Sequence, residues 1–236
     1  MKIENTDVSI YGARQFTVTF EHCAIDNESE WMAGAALPFL DHNQVGLKEW
    51  TITLRVKGES REGIIQNCSQ ILALLLEPVE LTLDGFSHHF KGTLKSHKRK
   101  EKVPKRYHLL ELEFEGYECG EEVTVSGKNS LTITNPGNLI SPCIVEITPL
   151  IGAASITLTG LCRDTSGADL PITIENLETG KSVILNGLTG LITQAGEQKG
   201  GEVSIWALPS MKPGENTVTV SNANMTVNVR TIPIYM

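Results

Sequence analysis

The chain has 236 residues, 40% of them hydrophobic and 20% charged, with a formal net charge of -8. Those values describe an ordinary globular protein of one large β domain or two smaller ones, and argue against a disordered or membrane-spanning chain. The acidic balance argues against a nucleic-acid binder, which carries a basic domain or stripe.

"MKIENTDVSI" has no apolar h-region, and the longest aliphatic run, "ILALLL", is far short of a bilayer span. Cys23, Cys68, Cys119, Cys143 and Cys162 are odd in number and widely spaced. Buried reduced thiols fit that pattern better than a disulfide framework or metal site. On that reading the chain is made in a reducing cytoplasm, and the N-x-S/T triplets at Asn27, Asn67 and Asn224 carry no glycans.

"RQFTVTF" alternates as a strand. "WMAGAALPFLDHNQVG" follows as a long connector with Trp31, Met32, Leu37, Phe39 and Leu40 but no clear period. Long apolar connectors are uncommon in compact domains. This one either covers its own core or lies across another subunit, and the five residues are candidate oligomer anchors. In "LKEWTITLRVKG", Trp50, Ile52, Leu54 and Val56 face one way. The period then changes: Ile64, Cys68, Ile71 and Leu75 form a helical stripe, with Ser60 as N-cap and Pro78 as the stop.

"VELTLDGFSHHFKGTLKS" predicts a hairpin whose two-residue turn is Asp84-Gly85. His88 and His89 then fall on opposite faces and share no metal; His88 reads as a packed core or interface histidine. "KSHKRKEKVPKR" is expected to be a solvated hairpin tip whose lysines discourage edge pairing, with contact to an acidic partner or passing DNA as the functional alternative. "RYHLLELEFEGYE" closes an α+β unit, with Leu110, Leu112 and Phe114 inward.

Beyond it the chain is rich in Thr, Ile, Val, Gly and Asn, with short strands parted by turn residues, which fits a sandwich or jelly roll. The expected division is residues 1–125 and 126–236. Near the end, "SIWALPSMKPGENTVTV" places Trp206 and Leu208 before a type II turn at Pro213-Gly214. Val218 and Val220 face inward, and Met225, Val227 and Val229 return as a hairpin. Trp206 is expected to plug the mouth of this sandwich, so that Trp206, Leu208, Pro213 and Gly214 act as a clasp. Burying about 200 Å² of indole corresponds to about 5 kcal/mol at most.

No G-x-S-x-G, H-E-x-x-H, G-x-x-x-x-G-K or Rossmann glycine pattern is present. Asp164, Asp169 and Glu175 read as solvated loop charges rather than a carboxylate site. The sequence therefore points away from an enzyme, and from any cofactor or metal.

"TNPGN" at Thr134–Asn138, entering the β-rich part, and "IWALPSMKPGENTVTV" at Ile205–Val220 carry a resemblance. In that order over two domains, the chain resembles the distal tail protein (Dit) family of long-tailed phages and prophages with non-contractile tails. The resemblance covers nearly the whole sequence. It implies an N-terminal ring-forming (belt) domain and a C-terminal galectin-like jelly roll. It also implies a homohexameric ring at the virion tail tip, assembled in the host cytoplasm, with DNA passing through its channel. Tail tube and tail-associated hub proteins are the implied partners, with tape-measure and receptor-binding proteins as further candidates. Some relatives carry an inserted arm or carbohydrate module in the second domain; about 110 residues after Asn129 leave no room for either here. The rival reading is a carbohydrate-binding jelly roll, which needs an exposed aromatic platform.

Overall fold

The structure is a computed structural model, and it describes residues 1–21, 23–31, 33–34, 36, 39–103, 106–164 and 167–236. The chain divides into two compact units, Met1–Cys119 and Gly120–Tyr235.

In the first unit, Lys2–Ile3 (β1) and Thr6–Asp7 (β2) precede a 3-10 turn at Val8–Tyr11 and the strand Ala13–Phe20 (β3). Ile25–Glu30 (β4) and Phe39–Val45 (β5) form a ribbon of their own, and Lys48–Lys57 (β6) returns to the sheet. Helix Arg61–Ala73 (α1) leads to Val79–Thr82 (β7), His89–Val103 (β8) and Tyr107–Cys119 (β9). The main sheet is ordered β2-β1-β7-β8-β9-β6-β3, antiparallel throughout this path.

Alternation along β6 and β9 drives one face of this sheet into the core. Trp50, Ile52, Leu54 and Val56 meet Leu110, Leu112 and Phe114, all buried, with the Trp50 and Phe114 rings stacked at 5.8 Å. Gly92 makes room for that indole: a Cβ there would lie 2.7 Å from its far edge. Helix α1 covers the core with Ile64, Cys68 and Ile71. Its cap is the expected one, Ser60 Oγ accepting from Gly63 N at 3.0 Å. The helix stops at Ala73, ahead of Pro78, because Leu74 and Leu75 donate three residues back and tighten the last turn. Leu75 is buried all the same.

The structure departs from two local expectations. The β7–β8 hairpin is joined by residues 83–88 rather than by two residues, since Thr82 pairs with His89; Asp84-Gly85 is a turn inside that loop, with Gly85 at φ +87. The connector after residue 30 is not an irregular loop throughout. Phe39–Val45 is strand β5, paired with β4 from Ile25↔Val45 to Glu30↔Phe39.

The second unit begins with Val123–Gly127 (β10), which pairs with a late strand of the sandwich, so residues 123–125 lie on its side of the division. It continues with Ser130–Asn135 (β11), Ser141–Pro149 (β12), Ala153–Arg163 (β13), Asp169–Leu177 (β14), Val183–Asn186 (β15) and Ile192–Gln194 (β16). Glu197–Gln198 (β17), Val203–Ser204 (β18), Ser210–Met211 (β19), Gly214–Val220 (β20) and Met225–Thr231 (β21) follow. One sheet is ordered β10-β21-β12-β15-β16-β17, with β19 on the start of β12, and the other β11-β20-β13-β14-β18. Their inner faces, among them Val145, Ile147, Leu158, Ile172, Val218 and Val227, form one buried core. The chain is thus mainly β, an α+β unit followed by an antiparallel sandwich.

The closing strands are not a hairpin. β20 pairs with β11 and β13, whereas β21 pairs with β10 and β12. Val218 and Met225 reach the same core from opposite sheets, because the turn at residues 221–224 carries the chain across. Inward period-2 spacing fixes a face, and the same face is available from either sheet.

Candidate functional site

The β4–β5 arm continues the β3–β6 ladder past its end: Glu21 N donates to Glu49 O at 2.9 Å, and Gly46 N to Ala24 O at 2.8 Å. Of the candidate anchors, Trp31 stands just past β4 and is 67% exposed. Phe39 and Leu40 occupy the first positions of β5, paired with Glu30 and Ser29. Met32 and Leu37 lie outside the described residues.

The clasp is built differently from the expectation. Trp206 is 80% exposed and Leu208 half-exposed, so the indole plugs nothing in this unit. Strand parity is the reason: Val203 and Ile205 pack against the core, which turns Trp206 outward in the segment crossing from β18 to β19. The core space is taken by Met211, fully buried. Pro213 is exposed, and Gly214 takes φ +84, as the turn requires. The residue that holds the turn is Asn216, 1% exposed. Its Oδ1 accepts from Lys212 N at 3.1 Å, while Nδ2 donates to Lys212 O at 2.8 Å and Gly214 O at 3.0 Å. The "PGEN" spacing was the available signal: an Asn two residues after the turn glycine is placed to bond back to it.

The Asn-Pro-Gly segment is pinned in the same way. Buried Asn135 donates through Nδ2 to Leu139 O, Ser141 Oγ and Met211 O at 3.2–3.4 Å, and accepts from Gly137 N at 3.0 Å.

The basic run is solvated as expected, most of its residues being exposed, but it is strand rather than a connecting tip. Residues 95–103 belong to β8, paired along β9. Lys100 Nζ meets Glu111 at 2.5 Å and Arg61 meets Glu101 at 2.9 Å. Arg99, itself exposed, donates to Nδ1 of the wholly buried His108 at 3.0 Å. Burial, and then the nearby Arg99 and Arg61 charges, hold His108 below the usual histidine range despite the opposing pull of Glu101. Its Nε2 finds no partner among the described residues. The bulge between Leu94 and Ser96 resets which residues face inward, and sequence gives no sign of it.

His88 lies ahead of β8 and bonds Glu118 Oε1 through Nδ1 at 2.7 Å, while Lys48 bonds the other carboxylate oxygen. His89 lies on β8, 3.5 Å from Glu80. Burial favours the neutral form of Glu118, but the hydrogen bonds and charges of Lys48 and His88 outweigh it and hold the carboxyl below its usual range.

Asp169 pairs with Arg163 at 3.0 Å and Asp164 accepts from Ala168 N at 2.9 Å, so both are engaged in shaping the 163–169 turn. All five cysteines are free and buried. Burial pushes Cys143 up to about 12 and Cys119 up to about 11, away from the thiolate that a nucleophile or metal ligand needs. A polar cleft of about 520 Å³ in the second unit is bordered by Asn176, Gln194 and Glu202. Lys199, whose side chain is 5% exposed, reaches across it to Glu202 and donates to Asn176 O at 3.0 Å. Among the described residues its border holds no serine, cysteine or histidine.

What these elements define is a two-unit β scaffold with a two-stranded arm, its polar groups held in hydrogen bonds and ion pairs. That scaffold is similar to the crystal structure of the SPP1 Dit (gp 19.1) protein, called a paradigm of the hub adsorption apparatus in Gram-positive infecting phages. The TM-score is 0.76 at 13% identity, over 99% of this chain and 98% of that one. It is also similar to the phage P2 baseplate in its activated conformation with Ca, with TM-score 0.55 at 10% identity over 96% of this chain and 92% of that one. The same baseplate with Sr gives 0.53 at 10% identity over 95% and 92%. At these identities the likeness is one of fold, and the fold is Dit-like. No family model and no curated protein matches the sequence.

Proposed function

We propose that this chain is a structural protein of a phage tail tip, a homohexameric ring that joins the tail tube to the tail-associated hub or baseplate proteins. The first unit forms the ring around a channel through which DNA passes, and the second is a galectin-like domain. The observation that carries this reading is the extent of the likeness to SPP1 Dit, which takes in both units and leaves almost nothing unmatched in either chain. The arm supports it as well, since a ribbon paired only within itself among the described residues, with exposed Trp31 just past β4, suits a neighbouring subunit. The role is scaffolding rather than catalysis, at the tail tip of the virion. Tube and hub proteins are the partners, with tape-measure and receptor-binding proteins as further candidates. Electron micrographs of the purified protein test the reading: sixfold rings with a central opening support it, and particles without rotational symmetry contradict it.

A second reading has one specific observation behind it. Trp206 stands out from the sandwich, as a platform for stacking a sugar ring must. Titration of Trp206 fluorescence with host cell-surface glycans tests it: saturable quenching that is absent in Trp206→Ala supports glycan binding, and no change contradicts it.

A further inference from the structure

The solvent-facing side of the first unit's sheet is electrically polarised along its strands. At one end Arg14 on β3 stands directly opposite Arg55 on β6. Lys57 follows on the face of Arg55, and Arg106 adjoins Tyr107, the partner of Lys57. Directly opposed residues hold their Cβ atoms about 4.5–5.5 Å apart, where like charges repel. None of these four cations has a carboxylate partner among the described residues.

Three carboxylates border the two clefts that these cations line. Asp84 is taken by the N-terminal ammonium at 2.5 Å. Asp7 accepts from Ser9 N at 2.8 Å and caps the 3-10 turn. Glu59 stands beside Lys57 and Arg106, so the four cations and the N-terminal ammonium face three carboxylates. The end of the sheet therefore keeps an excess of uncompensated positive charge, in a protein whose net charge is -8.

At the opposite end the ladder runs out into the β4–β5 arm, whose charge is of the other sign. Between residues 21 and 47 the sequence has Glu21, Asp26, Glu28, Glu30 and Asp41 and no lysine or arginine. The arm pairs only within itself among the described residues. An isolated two-stranded ribbon is marginally stable in water, so it needs a surface to lie on. The six residues of β4 carry it about 20 Å beyond the sheet. The arm leaves the sheet beside Glu49, and the cations gather near Lys57, eight residues along β6 or about 27 Å away. A ribbon that continues the strand direction outward does not fold back across that span. The chain cannot bring its own acidic arm to its own basic end.

We infer that the Arg14–Arg55–Lys57–Arg106 end of the sheet is the seat for the acidic β4–β5 arm of a second copy of this chain. The spacings agree: alternate residues on a strand, such as Asp26 and Glu28 on the arm or Arg55 and Lys57 on the seat, are about 6.7 Å apart. Arm and seat are different surfaces at opposite ends of one sheet, so the contact is heterologous and propagates until it closes. This rests on the ring reading and adds the receiving surface to it.

Charge reversal tests the seat. Arg14→Glu with Arg55→Glu, and separately Asp26→Lys with Glu28→Lys, are compared with the unaltered chain by light scattering at low salt, with circular dichroism as the folding control. Each reversed pair should raise the concentration for half-assembly by about tenfold or more, and mixing the four reversals in one chain should restore it. If the Arg14/Arg55 variant does not fold, the arm variant carries the test, because Asp26 is exposed and β4 pairs only with β5 among the described residues. An assembled parent that is indifferent to both reversals overturns the seat and leaves the ring reading standing. A parent that is monomeric alone and stays so with tube and hub proteins present removes both. Labelled double-stranded DNA bound by the parent and released by the Arg14/Arg55 reversal, with assembly unchanged, reassigns the cations to nucleic acid and overturns the inference.

Discussion

Asn135 and Ser141 hydrogen-bond side chain to side chain at 3.2 Å, both wholly enclosed, and tie three separated segments together. Asn135 also reaches Met211 O, and Ser141 Oγ accepts from Ile234 N at 3.0 Å. Replacing Asn135 with Ala removes the acceptor of Gly137 N and the donor to Met211 O, while Ser141 Oγ keeps Ile234 N and Leu139 O keeps Ser141 Oγ. The expected cost is about 2–3 kcal/mol in the second unit. Chemical denaturation followed by tryptophan fluorescence measures it, and an unchanged midpoint would remove Asn135 from the role of tie.

The turn before β20 separates two residues that the sequence places in one motif. Trp206→Ala should leave stability within about 0.5 kcal/mol, because the ring is on the surface. Asn216→Ala should lower it by about 1–3 kcal/mol, since the Lys212 and Gly214 groups it satisfies are then unpaired. Thermal melts of the two variants side by side decide the matter. A large loss in the tryptophan variant and none in the asparagine variant would reverse this assignment.

That contrast shows what the sequence carries and what it does not. Alternation placed Trp50, Ile52, Leu54, Leu110 and Phe114 in the core because each strand has one buried face and period 2 exposes it. The helical stripe of Ile64, Cys68 and Ile71 was legible for the same reason, as was the cap at Ser60. Partners were not legible. Val218 and Met225 share a core without sharing a sheet, and "VELTLDG" does not announce a six-residue loop. Trp206 was misplaced by hydrophobicity, whereas the parity of Val203 and Ile205 put it outside. The arm was hidden because β4 and β5 lack the alternation that a covering core would impose.

Burial keeps His108 neutral in the folded state, which gives its pH dependence a definite sign. The folded pKa lies below the unfolded value of about 6.5, so the unfolded chain takes up a proton first. The contribution to stability is present above about pH 6.5 and is lost as pH falls through that value toward the folded pKa. His108→Gln should flatten the decline in stability between neutral and mildly acid pH. Urea midpoints across that range check it, and parallel curves for parent and variant would show that His108 is not the group responsible.

Within the basic run the substitutions should part company. Lys98→Ser with Lys102→Ser changes exposed strand positions and should shift stability by less than about 0.5 kcal/mol. Arg99→Ser withdraws the donor to buried His108 Nδ1 and should cost about 1–3 kcal/mol. Differential scanning calorimetry of the two variants measures the split. Equal effects would restore the view of this segment as an undifferentiated charged edge.

The arm tip offers the sharpest change of assembly. Trp31 is exposed in the single chain, and truncating interface anchors of this kind commonly costs more than about 2 kcal/mol each. Trp31→Ser with Phe39→Ser should yield a folded chain of lower mass than the parent on size exclusion. An assembled double variant would take the tip out of the interface.

The central claim is the ring, and the mass of the unaltered chain in solution tests it most directly. Light scattering behind size exclusion at tens of micromolar should return six times the 25.8 kDa chain mass for the chain alone, or a heavier particle containing six copies when tube and hub proteins are present. A particle that keeps the mass of one chain under both conditions would contradict the account.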